Sequence, residues 1–168
     1  EYVNNRTKVC IICPEHGDFW QTPTSHLAGQ GCPKCAGRFM NREYFIEKAN
    51  KFAEIIGKDG FKFTYHNHGH EFAKFDGKTV MDMFIEELDK DNISFVLDTC
   101  WVAAGGADVR EWMEKLAGRI DILHLKDLFF LADGRRLYPK ATEVGNGMLD
   151  FRPIVKAAKE TGVKHFVV

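Results

Sequence analysis

The sequence predicts an α/β protein with a parallel sheet, led by a small metal-stapled unit. Three observations carry this reading. From about residue 40, helical and strand periodicities alternate along the chain. Polar, ligand-type residues fall at the carboxyl ends of three apolar strands, where an α/β sheet builds its active sites. Four of the five cysteines, Cys10, Cys13, Cys32 and Cys35, crowd before residue 36, and Cys100 stands alone.

The bulk numbers agree. A chain of 168 residues that is 45% hydrophobic and 28% charged has the material for one good domain, or a small one and a medium one. A formal net charge of -1 supplies no general attraction to nucleic acid or an acidic membrane. No apolar run approaches the roughly 20 residues of a membrane span, and there is no signal-peptide pattern, so a cytoplasmic location is expected. The chain begins at Glu1 without methionine and stops at Val168 within an apolar run, as a piece of something longer would.

Residues 1–38 form the first predicted unit. Residues 8–12 and 18–21 read as short strands and 25–27 as a helical turn. Two similar punctuations, CPEHGD at 13–18 and CPKCAG at 32–37, each place two potential ligands around a two-residue spacer with proline after the first. That is the shape of a zinc knuckle, and a unit this small cannot bury enough apolar area to fold without a staple. Clustered cysteines in a cytosolic-type chain favour metal over disulfides. The spacing allows two ligand sets. Cys13, His16, Cys32 and Cys35 is preferred, because Pro14 and Gly17 shape a tight turn whereas Ile11 and Ile12 draw Cys10 into a strand. Cys10 with Cys13, Cys32 and Cys35 is the alternative, and His26 is a reserve ligand. The bland reading is a set of reduced, free cysteines.

The remaining elements follow in order. Phe45, Ala49, Phe52, Ala53 and Ile56 recur at helical spacing, with Asn41 as N-cap and Gly57 as stop. Residues 61–68 alternate as a strand that ends in His66 and His68, and Gly69 leaves His70 and Glu71 in a loop. Thr79-Val80-Met81-Asp82 is a capping-box start for a helix with Val80, Met83, Phe84 and Leu88 inward. A strand at 94–98 ends in Asp98, and a helix over 108–118 turns Val109, Trp112, Met113 and Leu116 to one face. A strand at 120–126 carries His124 and Lys126. A hairpin around Asp133-Gly134 occupies 129–144. Asp150 caps a last helix with Phe151, Ile154, Val155 and Ala158 inward, ended by Gly162, and 165–168 opens a fourth strand.

Parity joins these strands. Ser94, Val96 and Asp98 share one face, as do Ile122, His124 and Lys126, and as do His66 and His68. Each strand thus delivers an imidazole or carboxylate to one edge, a mixed N/O donor set suited to a divalent ion such as Mn²⁺, Zn²⁺ or Co²⁺. Singly, each residue has a bland reading: Asp98 as a cap, His124 as a hydrogen-bonded core histidine, Asp127 as a partner for Lys126.

Two stretches resemble known families. TKVCIICPEHGDFWQTPTSHLAGQGCPKC is similar to the small zinc-finger-like modules of phage and viral proteins, often found beside nuclease domains. That resemblance covers residues 2–36 and implies structural Zn²⁺ and nucleic-acid association. The charge of 1–38, with Arg6, Lys8, Lys34 and Arg38 against Glu1, Glu15 and Asp18, supports the latter only weakly. YHNHGHEF (65–72), FVLDTCWVAAGG (95–106), GRIDILHLKD (118–127) and EVGNGMLDF (143–151) resemble the xylose isomerase-like sugar phosphate isomerase/epimerase superfamily, which includes inosose dehydratases and ketose 3-epimerases.

This second resemblance, over about 40–168, implies a (β/α)₈ TIM barrel of which strands five to eight are present. It assigns residues 39–168 to the C-terminal half of such a domain, after the 1–38 module, with a homodimer as one way of closing the half barrel. It implies Asp98 and His124 as metal ligands, with His66 where many relatives carry a glutamate. Glu71, Lys126 and Asp127 are implied as catalytic, and His68, Trp101 and Glu143 as contacts to a sugar or sugar phosphate. Trp101 replaces a histidine that some relatives use, and the glutamate of the eighth strand would follow HFVV. The implied chemistry is proton abstraction beside a carbonyl, in an isomerase, epimerase or related lyase. The alternatives are a non-catalytic remnant and a nucleic-acid-associated zinc protein with an endonuclease IV-like barrel. The roughly balanced charge of 40–168 argues against a DNA groove. Gly145-x-Gly147 is too short a signal for a phosphate loop.

Overall fold

A computed structural model of the chain describes residues 3–36 and 42–168. The expected N-cap Asn41, the charges Glu1 and Arg38, and the expected boundary at 38/39 lie outside the described residues. The chain divides into two units, 1–47 and 48–168.

In the first unit, β1 (Val9–Cys13) and β2 (Gly17–Gln21) form an antiparallel hairpin with Cys10 opposite Trp20 and Cys13 opposite Gly17. Gly17 turns the chain at φ +73°, a conformation a side chain would strain. Thr22 caps the short helix α1 (Pro23–Leu27) by accepting the Ser25 N–H, and Pro23 takes the first helical position, where no N–H is needed. The helix α2 (Arg42–Gly57) follows and ends at Gly57, as its sequence predicts.

The second unit is a four-stranded sheet in the order β10-β7-β6-β3, parallel throughout. Its strands are β3 (Phe63–His66), β6 (Ile93–Asp98), β7 (Ile120–His124) and β10 (His165–Val167). Between β3 and β6 lie a 3₁₀ turn (His70–Phe72), the two-residue strands β4 (Lys74–Phe75) and β5 (Lys78–Thr79), and the helix α3 (Val80–Glu87). The helices α4 (Thr99–Ala104) and α5 (Val109–Lys115) connect β6 to β7. A long antiparallel hairpin of β8 (Asp127–Asp133) and β9 (Arg136–Thr142) and the helix α6 (Phe151–Glu160) connect β7 to β10. This is a partial β/α barrel, open along β3 and β10.

Outward-facing residues of the strands make the core. Phe95, Leu97, Ile93 and Leu123 are fully buried together with Met113, Leu116 and Val102. Burial at i, i+3, i+4 and i+7 along α5 puts Val109, Trp112, Met113 and Leu116 inside, as expected. On α3 the sequence stripe is off by part of a turn. Met81, Phe84 and Leu88 are buried, whereas Val80 and Met83 are only half-buried. Arg119 closes this layer. Its guanidinium donates to the carbonyls of Ile85, Leu88 and Ile93 at 2.8, 3.2 and 3.3 Å and lies over the Phe95 ring. It thereby satisfies acceptors that the end of α3 leaves without helical partners.

Two strands are shorter than their alternation predicts, and side chains are the reason. β3 stops at His66 because the next backbone groups are taken: Glu71 Oε2 accepts the His68 N–H at 2.9 Å. β7 stops at His124 because Thr99 Oγ1 accepts the Lys126 N–H at 2.9 Å and donates to the Lys126 carbonyl at 2.7 Å. The start of α3 is the reciprocal capping box that the sequence predicts, with the Asp82 carboxylate also 2.6 Å from Lys115 Nζ.

Burial opposes ionisation of Asp82, but Lys115 and Thr79 outweigh it and lower its pKa to about 2 from 3.8. A depressed carboxylate stabilises the fold above its unfolded pKa and loses that contribution as the pH falls through the folded value. Asp82→Ala is therefore expected to cost about 1–2 kcal/mol at neutral pH. In denaturant titrations the difference from the unsubstituted chain should vanish between about pH 4 and pH 2.

Candidate metal and sugar site

The carboxyl ends of β3, β6 and β7 bring His66, Asp98 and His124 together. Register does most of this, since Asp98 lies opposite His124 and His66 opposite Val96 on neighbouring parallel strands. Asp98 is fully buried. Its Oδ1 accepts the Trp101 N–H at 3.1 Å as the N-cap of α4, and its own N–H is held at 2.8 Å by Asn67 Oδ1. Its Oδ2 faces the imidazoles, 3.2 Å from His66 Nε2 and 3.1 Å from His124 Nδ1. All three donor atoms lie within 4.8 Å of one another.

That donor set fits a divalent ion. Two ligands each about 2.1 Å from one ion and 90–110° apart stand about 3.0–3.4 Å from each other, which is the spacing found around Asp98. A buried carboxylate whose Oδ2 faces two borderline nitrogens suits Zn²⁺, Mn²⁺ or Co²⁺ and leaves further positions open. Lys126 Nζ approaches the same Asp98 oxygen at 3.7 Å and sits 5.0 Å over the Trp101 ring.

Rings line the approach. His68 stacks between His66 and His70, at centroid distances of 5.7 and 5.8 Å, and lies 5.5 Å from Trp101. His124 meets His66 edge-on at 5.3 Å. On the other side an open cleft of about 550 Å³ is bordered by His124, Lys126, Phe129, Glu143 and Val168. Glu143, expected at the substrate, is exposed on this rim.

Glu71 and Asp127, expected to act on substrate directly, are fully buried with their oxygens engaged by the protein. Glu71 accepts the Tyr65 hydroxyl at 2.5 Å and the His68 N–H, with His70 Nε2 at 3.4 Å. Burial and this carboxylate together raise the Tyr65 pKa, so the phenol stays protonated and donates. Asp127 gathers the backbone N–H groups of Leu128, Gly145, Gly147 and Leu149 at 2.8–3.1 Å. Burial opposes its ionisation, but those four donors hold its pKa below the usual carboxylate value. A side chain at Gly147 would collide with Asp127 and the Leu128 carbonyl, so this turn can close only on glycine.

Two further residues shape the site without having been expected there. Asn67 alternates with the histidines of YHNHGHE and therefore points away from them, into the β6 turn. Thr99 follows Asp98 and fixes the backbone that carries Lys126. The only sequence signal for either is adjacency to a ligand-type residue. Cys100 is buried, which pushes its thiol pKa up and makes it a packing residue.

The first unit gathers a second donor set, Cys13, His16, Cys32 and Cys35. Cys10 and His26 are exposed and are not part of it. Among the described residues no helix is long and apolar enough to cross a membrane.

Comparison with known proteins agrees with this geometry. Residues 16–168 match the family model described as xylose isomerase-like TIM barrel, a span that begins earlier than the motifs at 65–151 require. Inosose dehydratase of Geobacillus thermodenitrificans is 23% identical over 137 residues, covering 75% of this chain and 45% of that protein. Inosose dehydratase of Mesomycoplasma hyopneumoniae is 28% identical over 109 residues, covering 62% of this chain and 36% of that protein. A crystal structure of a sugar phosphate isomerase/epimerase from Parabacteroides distasonis superposes with a TM-score of 0.62 at 30% identity, covering 74% of this chain and 43% of that one. A xylose isomerase-like TIM barrel protein from Mycobacterium smegmatis, solved in complex with magnesium, shares the fold at 17% identity and a TM-score of 0.56, over 75% of this chain and 42% of that one. The chain spans less than half the length of these relatives.

Asp127→Ala would leave four backbone donors without their acceptor. We expect it to lower stability by about 2–4 kcal/mol. Gly147→Ala should act in the same direction through collision, and hydrogen exchange should localise the loosening to residues 143–149 in both variants.

Proposed function

Because the chain belongs to the xylose isomerase-like TIM barrel family, we propose that residues 48–168 carry the metal-bearing half of a sugar isomerase, epimerase or dehydratase site. The observation that carries this is the meeting of His66, Asp98 and His124 at the ends of adjacent parallel strands, beside Lys126. The named relatives support the substrate class, since inosose dehydratases and a sugar phosphate isomerase/epimerase are similar to this chain over most of its length.

In this reading His66, Asp98 and His124 hold a divalent ion. The ion, when bound, polarises the substrate's carbonyl and hydroxyl oxygens and lowers the cost of enolate charge beside them. The remaining chemistry belongs to the chain's own groups. Lys126 Nζ is the proton-carrying group nearest the donor set, with a position fixed by Thr99 behind it and Trp101 beneath it. It moves a proton to or from the carbon or oxygen next to the carbonyl. His68 and Trp101, tilted against each other by 49°, offer ring faces to a sugar, and Glu143 on the rim of the cleft accepts hydroxyl hydrogen bonds. Glu71 and Asp127 act at one remove, the first by aiming His68 and the second by fixing the turn that bears Glu143.

The test is divalent-ion binding followed by exchange of the proton beside the carbonyl of an inosose or ketose in deuterated water, read by NMR. We expect Mn²⁺ to bind, Asp98→Ala to weaken it by 100-fold or more, roughly, and Lys126→Met to slow exchange by about 10²–10⁴ without loss of the ion. Equal Mn²⁺ affinity in the unsubstituted chain and Asp98→Ala would sink the proposed ligand set. Exchange unchanged in Lys126→Met would remove the lysine from the chemistry.

A further inference from the structure

We infer that the first unit is built around one tetrahedral zinc ion, held by Cys13 Sγ, His16 Nδ1, Cys32 Sγ and Cys35 Sγ. It is independent of the barrel site and of the activity proposed for it.

Distance is the first argument. A tetrahedral ion with sulfur ligands at about 2.3 Å and nitrogen at about 2.0 Å sets its donors roughly 3.5–3.8 Å apart. In the structure Cys13 Sγ lies 3.5 Å from Cys35 Sγ and 3.7 Å from His16 Nδ1. His16 Nδ1 lies 3.2 Å from Cys35 Sγ and 3.9 Å from Cys32 Sγ. All four soft or borderline donors lie within 4.8 Å of one another, and these four edges bracket the spacing such an ion sets.

The second argument is how little apolar side chain the described residues 3–36 bury. Among residues 3–36 the buried side chains are Cys13, Cys32 and Gln21. Ile12, Trp20 and Leu27 are exposed, and Val9, Ile11 and Phe19 are only half-buried. A hairpin and a five-residue helix with so little apolar burial are far below the size that folds on burial alone. Metal binding supplies the missing folding free energy.

Topology selects the ligand set. Cys10 and Cys13 are three residues apart on β1, so they face opposite sides, and Cys10 pairs across from Trp20 on the exposed one. The turn through Gly17 instead folds His16 back beside Cys13. A second turn, closed by the Ala36 N–H on the Cys32 carbonyl at 2.9 Å, places Cys35 beside Cys32. His26 lies on α1 outside the cluster. Three thiolates and an imidazole favour zinc over Mg²⁺ or Mn²⁺, whereas the oxygen-containing set at Asp98 accepts those harder ions.

Metal content of the full chain, purified without a histidine tag, tests this. At least one zinc per chain is expected in the unsubstituted protein, one should remain in Asp98→Ala, Cys10→Ser should match the unsubstituted chain, and Cys35→Ser should hold one fewer. Replacement by Co²⁺ should give the thiolate charge-transfer and intense d–d absorption of a tetrahedral site, unchanged by Asp98→Ala. Chelation should abolish amide protection over residues 9–35 while that of β6 and β7 persists. Absence of zinc from the unsubstituted chain would overturn the inference, as would loss of all zinc with Asp98→Ala, any loss with Cys10→Ser, or iron in its place. Should Cys35→Ser fail to fold, the cobalt spectrum of the unsubstituted chain still decides, because an octahedral, weakly absorbing spectrum contradicts the site.

Discussion

The carboxylate of Asp98 is the constraint on which the second unit depends. A fully buried charge is costly unless every lone pair is used, and here both oxygens are. One oxygen turns the chain from strand into helix. The other holds two imidazoles and a lysine at a single point. Asn67 steadies the backbone from one side, and Thr99 ties the neighbouring strand end from the other. The same atoms therefore set the β6–α4 turn, the closeness of three strand ends and the electrostatics of the site.

Much of this was legible in the sequence, for physical reasons. Alternation put His66, Asp98 and His124 on one face of their strands, and parallel pairing then brings strand ends to one edge. Capping chemistry was equally plain at Thr79 and Asp150, because short polar side chains before apolar stripes have few other uses. The family match over most of the chain agrees with the barrel reading of its motifs.

The parts that were not legible are those where one side chain answers several backbone groups across sequence distance. Glu71 and Asp127 look like pocket acids beside histidine and lysine, yet their environments are made by residues as far off as Leu149, which no local pattern discloses. Met81 displaced Val80 in the core because tertiary packing rotated α3 slightly against its stripe. The β4–β5 hairpin, in contrast, had a local signal in Asp76-Gly77, whose φ angles of 50° and 86° suit a tight two-residue turn.

The base of the β8–β9 hairpin is sealed by Asp127, which draws in the turn at 145–149 together with the Met148 N–H on the Leu128 carbonyl. The tip, from Asp133 to Arg136, hangs beyond that seal with its side chains in solvent. Insertions or deletions there would lengthen or shorten the arm without shifting Lys126 or Glu143. The protein thus carries a segment free to vary in length and composition while the turn at 145–149 and the strand ends stay in place.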